Sequence, residues 1–278
     1  MNQDKQQTLP PQWRQWLLEN LRRGCNPVQL AEILRENGLE QCTVALNEHE
    51  LGLISGAEGV AVRPQPTTER NTLEVDGHTV HIVGVLDQPQ VIFYDHLLSD
   101  EECDALCRLA DETFVPATVV DEQDGSFTPH PHRSSEHACF MRGQTALIET
   151  VEKRIARLLD WPQENAEGMQ VLRYATGGEY RAHFDYFDPQ HPGSAKQMAS
   201  GGQRIGTMLM YLSDVEAGGG TRFPELGLEA RPRKGSAIYF AGVDAYGQID
   251  PLSLHASVPV ISGVKYAATK WIREKPYH

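Results

Sequence analysis

Apolar residues follow a helical spacing at the start of the chain and a two-residue alternation towards its end. Trp13, Trp16, Leu17 and Leu21 recur at i, i+3, i+4 and i+8, one face of a helix that Gly24 can close. Asn26-Pro27 supplies an N-cap and a first-turn proline for a second helix, whose stripe runs through Leu30, Ile33 and Leu34. A third short helix is expected over 43–51. Residues 1–57 thus read as a small helical region, either a partner-binding bundle or a packing extension. The proline-rich, polar stretch 58–72 reads as a linker.

From residue 73 onward the patterns alternate. His78–Val85 and Gln90–Tyr94 predict strands, and Ser99-Asp-Glu-Glu102 is a capping box opening a helix through Leu106 and Leu109. Leu147, Ile148, Val151, Ile155 and Leu158 line one face of a second helix over Gln144–Leu159. Beyond Gly168 the period falls to two. Strands are expected at Gln170–Tyr174, Ala182–Phe187, Arg204–Leu212, Ser236–Ala241, Ser253–Val260 and Lys265–Ile272. Many short strands after helices predict an α+β domain over 73–278, a jelly-roll core at about 168–275 with buttressing helices.

Composition narrows the function classes. With 25 Lys+Arg against 38 Asp+Glu, the formal charge is −13, a poor match to nucleic acid or an anionic membrane surface. The longest apolar runs, such as Val258–Ile261, fall far short of the ~20 residues that span a bilayer. No hydrophobic signal region follows Met1, and the 5 cysteines are odd in number with no CxxC pair, so a cytoplasmic protein is expected.

The sharpest chemical feature is His183-Phe-Asp185. On a strand, positions i and i+2 face the same way, which brings an imidazole and a carboxylate together. His255 on a later strand would complete two histidines and one carboxylate, the facial set that leaves iron(II) three open positions. A closed zinc site would want a fourth ligand, and no cysteine stands near. Lys265, entering the last strand after a Pro259…Gly263 turn, suits the remote carboxylate of a dicarboxylic acid. Lys265, Ala267, Thr269 and Trp271 share one face of that strand.

From about Val91 to Trp271 the chain resembles the prolyl 4-hydroxylase branch of the Fe(II)/2-oxoglutarate-dependent dioxygenases. The matching segments begin with Leu98-Ser-Asp-Glu-Glu-Cys103, Arg133-Ser-Ser135 and Leu172-Arg-Tyr-Ala-Thr-Gly-Gly-Glu-Tyr-Arg-Ala-His-Phe-Asp-Tyr-Phe187. They continue with Gly202-Gln-Arg-Ile-Gly-Thr-Met-Leu-Met-Tyr-Leu212, Gly218-Gly-Gly-Thr-Arg-Phe-Pro224 and His255-Ala-Ser-Val-Pro-Val-Ile-Ser-Gly-Val-Lys265. The ordered series is far more specific than any one segment.

The resemblance implies that His183, Asp185 and His255 hold iron(II), and that Lys265, Thr221 and Tyr174 bind the co-substrate 2-oxoglutarate. Tyr180, Arg204 and Trp271 would line the substrate groove beside the metal; Arg133 reads as a substrate-binding or loop-anchoring residue, or equally as an ordinary exposed loop arginine. Taken alone, Tyr174 and Thr221 read as a core tyrosine and a turn-ending threonine. Dioxygen is the second co-substrate, with ascorbate an accompanying reductant. The implied reaction is hydroxylation of a prolyl residue in a cytosolic protein or peptide, with release of succinate and CO2. The alternatives are a hydroxylase of a free amino acid or other small molecule, and a non-catalytic binding or sensing module. One feature is particular to this chain. Glu136-His137 stands after Arg-Ser-Ser, where the family commonly has small residues, and bears on the substrate path. Asp121–His132 has the Gly/Pro content of a mobile loop over the substrate.

Overall fold

The computed structural model of the 278-residue chain describes residues 7–22, 27–39, 42–43, 63–129, 132–245 and 247–278. The chain divides into two units, Met1–Val62 and Arg63–His278. In the first, helices Pro11–Arg22 and Pro27–Glu36 accompany a short parallel pair, Gln7–Thr8 with Cys42–Thr43. Leu17, Leu18 and Leu30 are buried, and the Trp13 and Trp16 rings meet edge to face at 5.3 Å. Ile33, expected on the apolar stripe, is 37% exposed. Residues 42–43 are strand where the third helix was expected to begin; 44–51 lie outside the described residues.

The second unit is built on a nine-stranded antiparallel sheet. Its order is Thr72–Val75, His78–Leu86, Val91–Asp95, Ala237–Ala241, Arg204–Tyr211, Lys265–Arg273, Ala166–Tyr174, Glu136–Phe140 and Val115–Pro116. A four-stranded sheet, Tyr180–His183, His255–Ser257, Thr221–Phe223 and Leu228–Ala230, faces it. Together they form the jelly-roll expected from the alternating pattern. Arg63 and Pro64 are buried, and Arg63 Nη1 donates to Val243 O at 2.7 Å, so the described part of the stretch read as linker begins inside this unit.

Two helices buttress one face of the large sheet. Asp100–Asp111 starts at the capping box read from sequence: the Ser99 hydroxyl accepts from Glu102 N–H at 3.2 Å, and the Glu102 carboxylate accepts from Ser99 N–H at 2.9 Å. It buries Cys103, Leu106 and Ala110. Ala146–Leu159 buries Ile148, Val151, Ile155, Leu158 and Leu159 against Met208, Met210, Ala268 and Ile272 of the sheet. These alternate residues turn to the helices, which leaves Thr207, Leu209, Lys265, Ala267, Thr269 and Trp271 facing the small sheet. The final strand is thus core on one face and site on the other. Glu152 and Lys270, both fully buried, form an ion pair beneath this layer.

Three local expectations change. The predicted strand Ala182–Phe187 ends at His183, and Asp185 sits in the bend that follows. Ser253–Val260 is a short 3-10 turn, Pro251–Ser253, then His255–Ser257, with a separate strand at Val260–Ser262. Proline at 259 has no N–H to carry a ladder through. Within 121–132, read as a loop, Phe127–Pro129 pairs with Thr118–Val120 as a hairpin; 130 and 131 lie outside the described residues. The Asp121 carboxylate caps its turn, accepting from the N–H of Gln123 at 2.8 Å. Among the described residues, no helix is long and apolar enough to cross a membrane.

Candidate active site

His183 and His255 are direct cross-strand partners in the small sheet. Each ring points Nδ1 at a carbonyl oxygen two residues upstream: His183 at Arg181 O, 2.8 Å, and His255 at Ser253 O, 3.0 Å. A carbonyl can only accept, so Nδ1 carries a proton, and in the neutral ring Nε2 is the atom left with a lone pair. Both lone pairs face Asp185, with His183 Nε2 to Oδ1 at 3.7 Å and His255 Nε2 to Oδ2 at 3.6 Å. These are too long for hydrogen bonds and suit ligands arranged round a cation. Among the described residues this is the one cluster of three metal-type ligands, with all its ligand atoms within 4.8 Å of one another.

The surroundings set the charge of the ligands. Burial, with His255 alongside, pushes the pKa of His183 down and keeps the imidazole neutral. Burial alone would push the Asp185 carboxyl up, but His255, His183, Arg204 and the Thr207 hydroxyl outweigh it and hold it below the usual carboxylate range. Thr207 Oγ1 donates to Asp185 Oδ2 at 2.7 Å, which fixes a carboxylate that stands beyond the end of its strand. The Tyr180 ring stacks on His183 at 3.5 Å and Phe240 leans on His255 at 4.6 Å, restraining both imidazoles.

Behind the triad lies a pocket lined by Tyr174, Thr221, Ser257 and Lys265, among others. Lys265 is 1% exposed, and its Nζ donates to Ser257 Oγ at 2.8 Å beneath the Tyr174 and Tyr211 rings, at 5.1 and 5.6 Å. Among the described residues it meets no carboxylate. Desolvation alone pushes its pKa down to about 7. Thr221 Oγ1 accepts from Tyr211 O–H at 2.6 Å, which leaves the threonine proton to donate into the pocket. The glycines ahead of Thr221 make this approach possible. Gly218 has φ +76°, and a Cβ there would lie 2.3 Å from Pro259 O.

In front of the triad opens a groove of about 1100 Å³ lined by Arg133, Tyr180, Arg204 and Trp271. Arg204 is held bidentately by Glu167, at 2.5 and 2.9 Å, and stacks over Trp271 at 3.8 Å. Arg133 donates to Thr118 O and Gln170 Oε1 and covers the Tyr180 ring at 4.7 Å. Ser257, Thr207, Glu167, Gln170 and Tyr211 escaped the sequence reading. Ser257, two residues after His255 and so on the same face of its strand, carried the one usable signal.

Comparison with known proteins agrees with this geometry. Residues 169–273 match the family described as the 2OG-Fe(II) oxygenase superfamily. Probable prolyl 4-hydroxylase 3 of Arabidopsis thaliana is 38% identical over 209 residues, covering 68% of this chain and 71% of that protein. The chain belongs to the prolyl 4-hydroxylase family of Fe(II)/2-oxoglutarate oxygenases. Another member of the family, prolyl 4-hydroxylase 5 of Arabidopsis thaliana, is 37% identical over 224 residues, covering 73% of this chain and 75% of its own. Among solved structures, the viral collagen prolyl hydroxylase of Paramecium Bursaria Chlorella virus-1, as its 2OG complex, aligns with a TM-score of 0.54. It is 32% identical and covers 68% of this chain and 99% of that one.

The residues fit the cofactor and co-substrate of a prolyl 4-hydroxylase. Two imidazole nitrogens and one carboxylate oxygen are the donor set of a non-haem iron(II) facial site. The buried Lys265 Nζ, which meets no carboxylate among the described residues, calls for an anion in the pocket behind them.

Proposed function

We propose that this chain hydroxylates the 4-position of a prolyl residue in a protein or peptide, with iron held by His183, Asp185 and His255. The supporting observation is the alignment of three compartments. A pocket lined by Lys265, the triad, and a groove of about 1100 Å³ adjoin one another, with His183 and Asp185 lining both cavities. When bound, iron(II) supplies the coupled reaction in which 2-oxoglutarate and dioxygen become succinate and CO2 as a C–H becomes C–OH.

This chain's residues position and shield. Lys265 and the Thr221 hydroxyl anchor the distal carboxylate of 2-oxoglutarate, with Tyr174 closing the apolar wall beside it. This directs the keto acid end towards the triad. Thr207 and the two backbone carbonyls keep the ligand atoms converged. Trp271 offers a flat apolar face that suits a proline ring, and Arg204, tied down by Glu167, braces the indole. Tyr180, stacked on His183 and covered by Arg133, lines the groove beside it. The substrate is read as a cytosolic protein, with ascorbate as an accessory reductant.

The test is succinate release from 2-oxoglutarate under air with added Fe(II), comparing wild type and Asp185→Ala, with and without proline-containing peptides. Peptide-stimulated succinate, 4-hydroxyproline in the recovered peptide, and loss of both in the variant are expected. Turnover of 2-oxoglutarate that no peptide or protein stimulates would overturn the prolyl assignment and direct the search to small molecules.

A further inference from the structure

We infer that His137 is a fixed hydrogen-bond donor on the groove wall that takes a main-chain carbonyl of the substrate next to its target proline. The inference rests on the prolyl reading above.

It begins with Arg133, whose guanidinium has only donors. Its Nη2 lies 2.8 Å from the side-chain amide of Gln170, so the atom facing it is the oxygen, Oε1. The amide nitrogen of Gln170 is thereby turned to His137 Nδ1 at 3.0 Å and Cys139 Sγ at 3.6 Å. An amide nitrogen donates and does not accept. His137 Nδ1 therefore carries the lone pair, and the ring proton sits on Nε2. This tautomer is opposite to that of His183 and His255, which hold their protons on Nδ1 for backbone carbonyls.

The relay is rigid. Gln170 is 7% exposed, and its strand lies in antiparallel register with Glu136–Phe140, Gln170 opposite Cys139 and Leu172 opposite His137. Alternation on the latter strand sends Ala138 and Phe140 into the core and His137 and Cys139 to the groove. Glu136 leaves the groove and pairs with Arg173 at 2.7 Å. Of the two residues that mark this chain after Arg-Ser-Ser, only His137 thus lines the substrate path. Among the described residues no protein acceptor meets its Nε2.

Burial, with Arg133 nearby, pushes the His137 imidazole pKa down, so the donor is uncharged at neutral pH. A neutral N–H brings no counter-charge to offset the desolvation of a carboxylate, whereas a neutral carbonyl needs none. A peptide around proline is rich in carbonyls and short of N–H groups, because proline has none. The donor's support also runs on to the iron site, since Arg133 covers Tyr180 and Tyr180 stacks on His183.

The experiment uses a peptide with one target proline that the wild type hydroxylates, and versions whose carbonyls flanking that proline are reduced one at a time to methylene. His137→Phe should raise the peptide KM about three- to tenfold, the worth of one neutral hydrogen bond. Its kcat and its KM for 2-oxoglutarate should stay within twofold. His137→Gln, whose amide can donate, should recover most of the affinity. One reduced peptide should bind wild type as weakly as the full peptide binds His137→Phe, with no further loss in the variant. An unchanged KM in His137→Phe, or equal losses from both reduced peptides in wild type and variant, would overturn the inference and leave the prolyl reading standing. Succinate formation with no peptide hydroxylated by wild type would overturn both.

Discussion

His183 and His255 face each other across two strands, and each spends its Nδ1 proton on the carbonyl two residues before it. The short sheet thus turns both Nε2 atoms towards Asp185. Asp185 lacks that support and depends on Thr207. Thr207→Val, close in size but without a hydroxyl, should weaken iron or manganese binding about 10- to 100-fold. Asp185→Ala should abolish turnover. Metal titration by calorimetry, with unchanged far-UV circular dichroism, checks both.

Lys265 should separate ligand binding from stability. Removing the charge partner of a buried carboxylate costs about 3–5 kcal/mol, so Lys265→Ala should raise the 2-oxoglutarate Kd at least about a hundredfold. In the free protein the same group meets no counter-charge among the described residues, so Lys265→Met should raise Tm without ligand and erase the ligand-induced increase. A 2-oxoglutarate Kd unchanged by either substitution would remove Lys265 from the site.

The same residue predicts a pH dependence. Its pKa in the free protein is about 7, and a bound carboxylate favours the charged form, raising that value. Binding above pH 7 must therefore take up a proton. The 2-oxoglutarate Kd should be flat below pH 7 and should rise by up to about tenfold per pH unit above it. For folding the sign is separate: the unfolded lysine holds its proton to about 10.4, so its contribution to stability rises with pH between about 7 and 10.4. Calorimetry in buffers of different ionisation enthalpy measures the proton uptake directly.

Beneath the site, Glu152 and Lys270 are a fully buried pair, with Lys270 also donating to Glu167 O. Glu152→Leu strands a buried ammonium and should cost about 3–5 kcal/mol in urea unfolding. Adding Lys270→Met should restore most of that loss, because an apolar pair of similar volume carries no desolvation penalty. Additive losses in the double variant would mean that the two residues do not act as a pair.

Much of this architecture was legible in the chain. Period-two alternation marked the strands, Ser99 and Glu102 marked a helix start, and the shared face of Lys265, Ala267, Thr269 and Trp271 is the face that lines the pocket. These signals are local, set by backbone period and by short-range hydrogen bonds. Less legible were places where a distant partner decides. Asp185 lies past its strand because Thr207, from another strand, receives it. The segment at 121–132 is partly hairpin because Val119 and Thr128 find each other across a capped turn.

The sequence by itself determined the kinds of ligand, the buttressed jelly-roll and the alternation that divides core from site, since residue type and period are written along one chain. Only the tertiary structure decided proton placement. Gln170 orients towards His137 because Arg133 occupies its other side, and Lys265 loses its usual basicity because burial strips water from it. Those outcomes depend on which groups meet across sheets and on how much water is excluded between them.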